Sequence, residues 1–342
     1  MILTFALLLA SPWLVSRFLE SRLAPRALVW AYFASLLAAG TAALLMLVAL
    51  TLRSLPHRYL EMAGLECTDA ENCVGVLPMW ADATFSFLVG GVVLGLLAFA
   101  AYAFFAQLGA SRRCAGELDL CAQGVLLPLP MRPNARLLVI EDPVPTSYTI
   151  GFLRPCIVIS TGLYDALDED ELEAVLAHEE AHVGGRDNLL TLAAQTFAMT
   201  FALIPGFRFA YSRFRRAQEL AADDFAHALT GDPLVVASSL EKFARSVLAR
   251  GRGAVGGTPA PGVGFADEGN VGERIRGLLE DRVFPFSRQT LIATLLGIVF
   301  IFGVFSSSAL SMTDVALPGP MGSPTCHAVT AAEPHGQYCT GH

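Results

Sequence analysis

The stretch Leu167-Asp168-Glu169-Asp170-Glu171-Leu172-Glu173-Ala174-Val175-Leu176-Ala177-His178-Glu179-Glu180-Ala181-His182-Val183-Gly184-Gly185 decides how this chain is read. Asp168 followed three residues later by Glu171 has the form of a capping box, with Asp in place of Ser or Thr. Leu172, Val175, Leu176 and Val183 give the segment an apolar stripe at helical spacing. Gly184-Gly185 then loosens or ends the helix. Within it, His178-Glu179-Glu180-Ala181-His182 reads H-E-x-x-H. Two histidines four residues apart on a helix share one face, so their imidazoles can bind one zinc ion. Glu179 lies beside that metal and can act as general base on a water. The plain alternative is a solvated helix that carries two histidines and an acid by chance. The capped, amphipathic context favours the chemistry.

A catalytic zinc needs a third protein ligand and one open position. The seven histidines are His57, His178, His182, His227, His327, His335 and His342, and most lie far from the motif. A carboxylate is therefore the expected donor, and Glu219 in Arg216-Ala217-Gln218-Glu219-Leu220-Ala221-Ala222-Asp223-Asp224 is the candidate, with His227 next in line. This stretch reads as a helix ending near Thr230-Gly231-Asp232-Pro233. Glu219 and Asp223 share its face, so Asp223 can hold a ligand histidine by its free ring N–H. Without the zinc motif, the same letters would read as an acidic helix face in water.

H-E-x-x-H followed after a gap by E-x-x-x-D resembles the gluzincin membrane peptidases, of the HtpX/Ste type and the BlaR/MecR type. Ile150-Gly151-Phe152-Leu153-Arg154-Pro155, then Ile157-Val158-Ile159-Ser160-Thr161-Gly162-Leu163, then Arg186-Asp187-Asn188-Leu189 after the motif, resemble the BlaR/MecR group. The likeness covers roughly residues 82–310 and implies a zinc metallopeptidase fold. It also implies that Asp187 supports a ligand histidine from behind. Penicillin-sensing members carry a large external C-terminal domain. Here about thirty residues follow the last apolar segment, so beta-lactam recognition by that route is not expected.

Composition points to a membrane independently. Apolar residues make up 54% of the 342 and charged residues 16%, with mean hydropathy +0.53. A soluble enzyme usually carries about 25% charged residues. Four segments are candidate spans: Met1–Val15, Ala27–Leu52, Ala83–Ala110 and Thr290–Met312. The last three exceed the ~20 residues that a bilayer needs. Met1–Val15 is short, but Arg17 follows its apolar run rather than preceding it, which favours an uncleaved anchor over a signal peptide.

Arg17, Arg22 and Arg26 fill the loop between the first two spans. Arg112 and Arg113 follow the third, and Arg282 and Arg288 precede the fourth. The positive-inside rule puts these loops in the cytoplasm and both termini outside. Seven cysteines test that topology. Cys67 and Cys73 fall in one external loop, Cys326 and Cys339 in the external tail, each a potential disulfide in an oxidising compartment. Cys114, Cys121 and Cys156 fall inside and stay reduced.

Leu137-Leu138-Val139-Ile140 and Ile157-Val158-Ile159 read as strands of a small sheet beside the zinc helix. An extended substrate can add to such an edge through main-chain hydrogen bonds; ordinary core strands fit equally. Leu189–Phe207 is uncharged and long enough to cross, but one extra span would separate Glu219 from His178. It is therefore read as a helix packed in the domain, or dipping into the bilayer without crossing, with Pro205-Gly206 turning the chain back. Arg208, Arg213, Arg215 and Arg216 form either a headgroup-facing surface or a solvated face. Gly251–Gly264 reads as a flexible linker, with a self-cleavage site or a substrate flap as alternatives. Gly272-Glu273-Arg274-Ile275-Arg276-Gly277-Leu278-Leu279 resembles the helix that follows the site in related peptidases.

The fold expected is an α-helical polytopic membrane protein with a mainly α (α+β), zincin-like cytoplasmic peptidase domain carrying a small sheet. Residues 1–110 form a three-span region with an external loop at 53–81, residues 111–287 the peptidase domain, 288–312 a fourth span and 313–342 a short external tail. The expected activity is that of a membrane zinc endopeptidase, with one Zn2+ per chain on His178, His182 and Glu219. Glu179 is its catalytic base, with Asp223 and Asp187 behind the histidines. Its setting is a bacterial inner membrane, and its partners are the bilayer, a peptide or protein substrate such as a cytoplasmic transcriptional repressor, and a second copy of the chain. The resemblance implies regulatory cleavage of a repressor or of the chain itself. Housekeeping proteolysis of membrane proteins, or a silent receptor stapled by zinc, are the alternatives. A net charge of -8 points to no nucleic-acid partner.

Overall fold

A computed structural model of the chain describes residues 2–54, 66–67, 79–121, 127–129, 132–152, 155–251, 263–264, 271–280, 315–316 and the single positions 292, 297, 299 and 303. Helices α1 (Ile2–Phe18) and α2 (Pro25–Ser54) come first. Pro25 opens α2 where its missing N–H costs nothing. Strand β1 (Glu66–Cys67) and helix α3 (Met79–Cys121) follow, then β2 (Leu127–Leu129), β3 (Arg132–Ile140), β4 (Ser147–Ile150) and β5 (Cys156–Ser160). Helices α4 (Thr161–Ala166), α5 (Glu169–Gly185), α6 (Asp187–Thr200), α7 (Pro205–Thr230) and α8 (Pro233–Gly251) come next. Strand β6 (Val263–Gly264), helix α9 (Val271–Leu279) and strand β7 (Val315–Ala316) complete the described elements.

Among the described residues, two helices are long and apolar enough to cross a membrane: Pro25–Ala49 in α2, with mean hydropathy 2.0, and Phe87–Ala110 in α3, with 2.3. Half of the first is buried within the protein, but only 11% of the second. Phe87, Leu88, Val92, Leu94, Tyr102 and Phe105 are all exposed along α3. Ala6–Phe18 in α1 is apolar but shorter. The expected fourth span at 290–312 lies almost wholly outside the described residues. Helix α3 continues to Cys121 without a break at the boundary expected near residue 110.

The chain divides into two compact units. One contains residues 44–94 and 305–342, the other residues 2–43 and 95–304. In the first, β1 pairs antiparallel with β7, Glu66 opposite Ala316 and Cys67 opposite Val315. Cys73, Cys326 and Cys339 lie outside the described residues, so both expected disulfides fall there as well.

The second unit holds a five-stranded sheet in the order β2-β3-β5-β4-β6. Only the β3–β5 pair is parallel, with Leu138 beside Val158; β4 runs antiparallel to β5, with Tyr148 opposite Val158. Strand β6 adds to the outer side of β4, with Tyr148 opposite Gly264 and Thr149 opposite Val263. Ile157, Ile159, Leu163, Val175 and Leu240 form the core between sheet and helices. A second core joins α1 and α2 to α6 and α7 through Val15, Tyr32, Leu36, Ala194, Phe207 and Phe214, all buried. Burying a Val, Leu or Phe side chain contributes about 1.5–3 kcal/mol. Residues 2–43 thus pack with the peptidase segment in one compact unit.

The uncharged stretch at 189–207 forms most of α6, a turn, and the start of α7. Leu192, Ala194 and Ala198 are buried, and the Phe201 and Phe207 rings stack at 4.8 Å across the turn. Pro205 sits at the first turn of α7, so the chain reverses and Glu219 returns to the side of His178.

Candidate metal centre

The capping box is formed in full. Asp168 accepts from the Glu171 N–H at 3.0 Å, and Glu171 accepts from the Asp168 N–H at 3.1 Å. The buried Glu171 carboxylate is also met by Ser238 at 2.6 Å and by Lys242. This anchored start sets the rotation of α5, which buries His178, Glu179 and His182 together. The helix ends at Arg186, the one described non-glycine residue with positive φ (54°). That left-handed conformation costs about 1 kcal/mol for a residue with a Cβ. It makes a one-residue turn into α6 and swings Asp187 back toward His182.

His178 Nε2 and His182 Nε2 stand 3.2 Å apart. Two nitrogens on a tetrahedral zinc lie roughly 3.3 Å apart, given zinc–nitrogen bonds of about 2.0–2.1 Å. Glu219 brings Oε2 to 3.5 Å from His178 Nε2 and Oε1 to 3.9 Å from His182 Nε2. One ligand atom from each of His178, His182 and Glu219 falls within 4.8 Å of the others, and all three residues are buried. Both Glu219 carboxylate oxygens are buried without a hydrogen-bond donor among the described residues, although Arg274 Nη1 lies 3.3 Å from Oε2. Arg274 and His178 offset part of the cost of burying this carboxylate, and its oxygens still face the two imidazoles at ligand spacing. The donor set and its spacing therefore fit a single Zn2+.

Behind each histidine stands an aspartate. Asp223 Oδ1 lies 3.0 Å from His178 Nδ1, and Asp187 Oδ2 lies 2.9 Å from His182 Nδ1. Each aspartate is held in turn by an arginine. Arg274, on α9 and 1% exposed, donates from Nε and Nη2 to the two Asp223 oxygens at 2.7 and 2.6 Å. Arg26, at the start of α2, donates from Nη1 to Asp187 Oδ1 at 2.7 Å. Gln218 donates to the Asp187 carbonyl at 3.2 Å and accepts from Thr191 at 3.0 Å.

These contacts set the charges of the metal-free site. Burial opposes ionisation of His178, but Asp223 and Glu219 more than reverse it and raise its pKa to about 9. Burial would raise Glu219, yet His178 and Arg274 hold it down at about 2. Asp223 follows the same pattern, with Arg274 overcoming its burial. His178 protonated between two carboxylates thus stands where a cation is needed.

Glu179 is fully buried and faces β4. Ser147 and Thr149, two apart and so on one face of that strand, donate to its carboxylate oxygens at 2.9 and 2.7 Å. Burial raises its pKa, and the two histidines and two hydroxyls oppose that only in part. Asn188 donates to the carbonyls of Thr149 and Gly151, each at 3.1 Å, and so ties the end of β4 to α6.

The tertiary fold brings together His178, Glu179, His182, Glu219, Asp223 and Asp187. His227 is not part of the cluster. Ser147, Thr149, Gln218, Arg26 and the role of Arg274 were not read from the sequence. An arginine on the apolar side of the short α9 pattern was the one local signal among them, since an unpaired buried arginine is not tolerated.

Residues 113–294 match the family model described as peptidase family M48, more than half of the chain. The chain is 28% identical over 171 residues to a protease HtpX homolog of Acidiphilium cryptum, covering 40% of this chain and 58% of that protein. It is 36% identical over 118 residues to the plastoglobule-localized metallopeptidase 48 of Arabidopsis thaliana, covering 32% and 34%. A protease HtpX homolog of Dictyoglomus turgidum is 29% identical over 150 residues, covering 33% and 49%. The chain thus spans between about a third and three fifths of the length of these relatives.

Proposed function

This chain belongs to peptidase family M48, and on that premise we propose that it is a membrane zinc metalloendopeptidase with Glu179 as its base. One observation carries the reading. The Glu179 carboxylate is buried beside His178 and His182 and is aimed by two hydroxyls of β4, a strand that an extended peptide can follow. A purely structural metal site needs no such base, so a silent zinc-stapled receptor is the weaker reading.

His178, His182 and Glu219 would hold one Zn2+ and leave a position open; when bound, the ion polarises a carbonyl and acidifies a water. Glu179 accepts the proton of the attacking water as its oxygen adds to the scissile carbonyl carbon. The same carboxyl returns the proton to the amine as the C–N bond breaks. A proton affinity raised by burial suits both halves of that exchange. Asp223 and Asp187 keep each histidine with its Nε2 toward the metal position. Main-chain pairing to β4 reads backbone more than side chains, which supports a protein substrate of broad sequence. In this reading Val263–Gly264, which now pairs with that strand, gives way to the substrate.

The peptidase segment at 111–287 faces the cytoplasm in this proposal, in a multi-pass protein with both termini outside. The arginine-rich loops support that orientation. The β1–β7 pairing supports a common side for the segments after the second and fourth spans. The likeness to HtpX-type proteases favours housekeeping proteolysis of membrane proteins. Regulatory cleavage of a repressor or of the chain itself is the second reading, favoured by the BlaR/MecR-like stretch from Ile150 to Leu190.

The test uses the purified full chain in detergent with an unfolded protein as substrate. Wild type should hold one zinc and cleave. Glu179→Gln should keep the zinc and lose at least about 100-fold in rate, while Glu219→Ala should lose the zinc. Full activity in Glu179→Gln would sink the proposal.

A further inference from the structure

The two aspartate–arginine supports of the centre come from different parts of the chain. Arg274 lies within residues 113–294, the segment that carries the family match. Arg26 lies far outside it, in the first turn of α2, at the foot of the candidate span Pro25–Ala49. Its Nη1 donates to Asp187 Oδ1 at 2.7 Å, and Asp187 Oδ2 meets His182 Nδ1 at 2.9 Å. One planar carboxylate thus joins a membrane-proximal guanidinium to a metal-facing imidazole. The approach is built on the peptidase side as well. A Cβ on Gly185 would fall inside the Arg26 guanidinium, so the last residue of α5 is open where the arginine passes.

We propose that Arg26 is a positioning residue of the metal centre, so that the foot of α2 is a working part of the site and not only an anchor. The inference rests on the metal reading above. Asp187 is 1% exposed and Arg26 38%, so the pair sits at the edge of the buried centre with its acceptor fully inside. A plain staple between α2 and the domain is the competing account. It has little to do, because Leu28, Val29, Tyr32 and Leu36 already bury α2 against α6 and α7. Without Arg26, Asp187 would keep the Gln218 bond to its backbone carbonyl but lose the donor that sets its carboxylate plane. His182 would then lose its fixed orientation.

The experiment compares wild type, Arg26→Ala, Arg26→Lys and Gly185→Ala as purified full chains. Two quantities are read: zinc affinity by chelator competition, and the visible absorption spectrum of the Co2+-substituted protein. Arg26→Ala should bind zinc about 10–100-fold more weakly, the range for outer partners of metal ligands, with an altered cobalt spectrum. Arg26→Lys should recover part of the affinity, since a lysine supplies the charge without the planar fork. Gly185→Ala should reproduce Arg26→Ala by displacing the guanidinium. A lowered melting temperature with unchanged affinity and spectrum would overturn the proposal in favour of a staple. Should Arg26→Ala fail to fold, Gly185→Ala and Arg26→Lys decide by the same two readouts. Wild type without metal would overturn both this inference and the metal centre. Wild type with metal, lost in His178→Ala but unchanged in the Arg26 and Gly185 variants, would overturn this inference alone.

Discussion

The Thr149 hydroxyl donates to one Glu179 carboxylate oxygen at 2.7 Å, while Ser147 donates to the other at 2.9 Å. The general base proposed above is thus aimed from a neighbouring strand and not from its own helix. Thr149→Val and Ser147→Ala should each lower kcat/KM by about tenfold, the worth of one hydrogen bond to a charged group. Zinc content should not change. These hydroxyls favour the ionised carboxylate, so their loss should also move the acid limb of the pH–rate profile to higher pH. A double variant with wild-type rate and an unmoved acid limb would remove both hydroxyls from the mechanism.

On the proposed ligand set, metal and proton compete for His178. In the metal-free protein its pKa is raised to about 9. The stability it contributes is full below its unfolded value of about 6.5 and is lost as pH rises through about 9. Glu219, held at about 2, contributes above its unfolded value of about 4.3 and loses that stability as pH falls toward about 2. The melting temperature of stripped protein should therefore fall between about pH 6.5 and 9. Zinc binding expels the His178 proton, so affinity should rise roughly tenfold per pH unit across that window. Chelator competition at several pH values measures the slope, and a flat profile would contradict the assigned protonation.

In the proposed substrate-binding mode, strand β6 competes with substrate for β4. Val263 and Gly264 pair with Thr149 and Tyr148, beside the residues that hold Glu179. Replacing both with proline removes two N–H donors and should weaken that pairing. Steady-state kinetics on a protein substrate should show KM lowered about 2- to 10-fold, corresponding to about 0.4–1.4 kcal/mol of lost competition, with kcat little changed. An unchanged KM would mean that β6 does not obstruct the substrate strand.

Topology has a direct chemical readout. After reduction, an impermeant thiol reagent should label Cys67, Cys73, Cys326 and Cys339 in intact cells. Cys114 and Cys121 should react only after permeabilisation. Labelling of Cys114 in intact cells would invert the orientation and put the metal centre outside.

The zinc helix was legible in the letters because its signals are local. The capping box, the apolar stripe and the four-residue spacing of His178 and His182 all lie within one helix, whose period converts sequence spacing directly into a shared face. Glu219 with Asp223 was legible for the same reason, as a second i, i+4 pair. The apolar runs in α2 and α3 announced themselves by length alone. An apolar helix reads alike whether lipid or protein covers it, so the packing of α1 and the first part of α2 onto α6 and α7 left no separate mark.

By itself, the sequence put forward the candidate residues: two histidines and a glutamate as metal donors, one glutamate as base and Asp223 behind a histidine, with Asp187 added by the family resemblance. Only the tertiary structure decided what holds them. Arg26 reaches Asp187 across 161 positions and Arg274 reaches Asp223 across 51, while Thr149 meets Glu179 from 30 positions away. Contacts of that kind follow no helical or strand period. Each joins two chain segments whose meeting is set by the burial of a shared core, and a single arginine or threonine in the sequence carries no sign of the partner it will find.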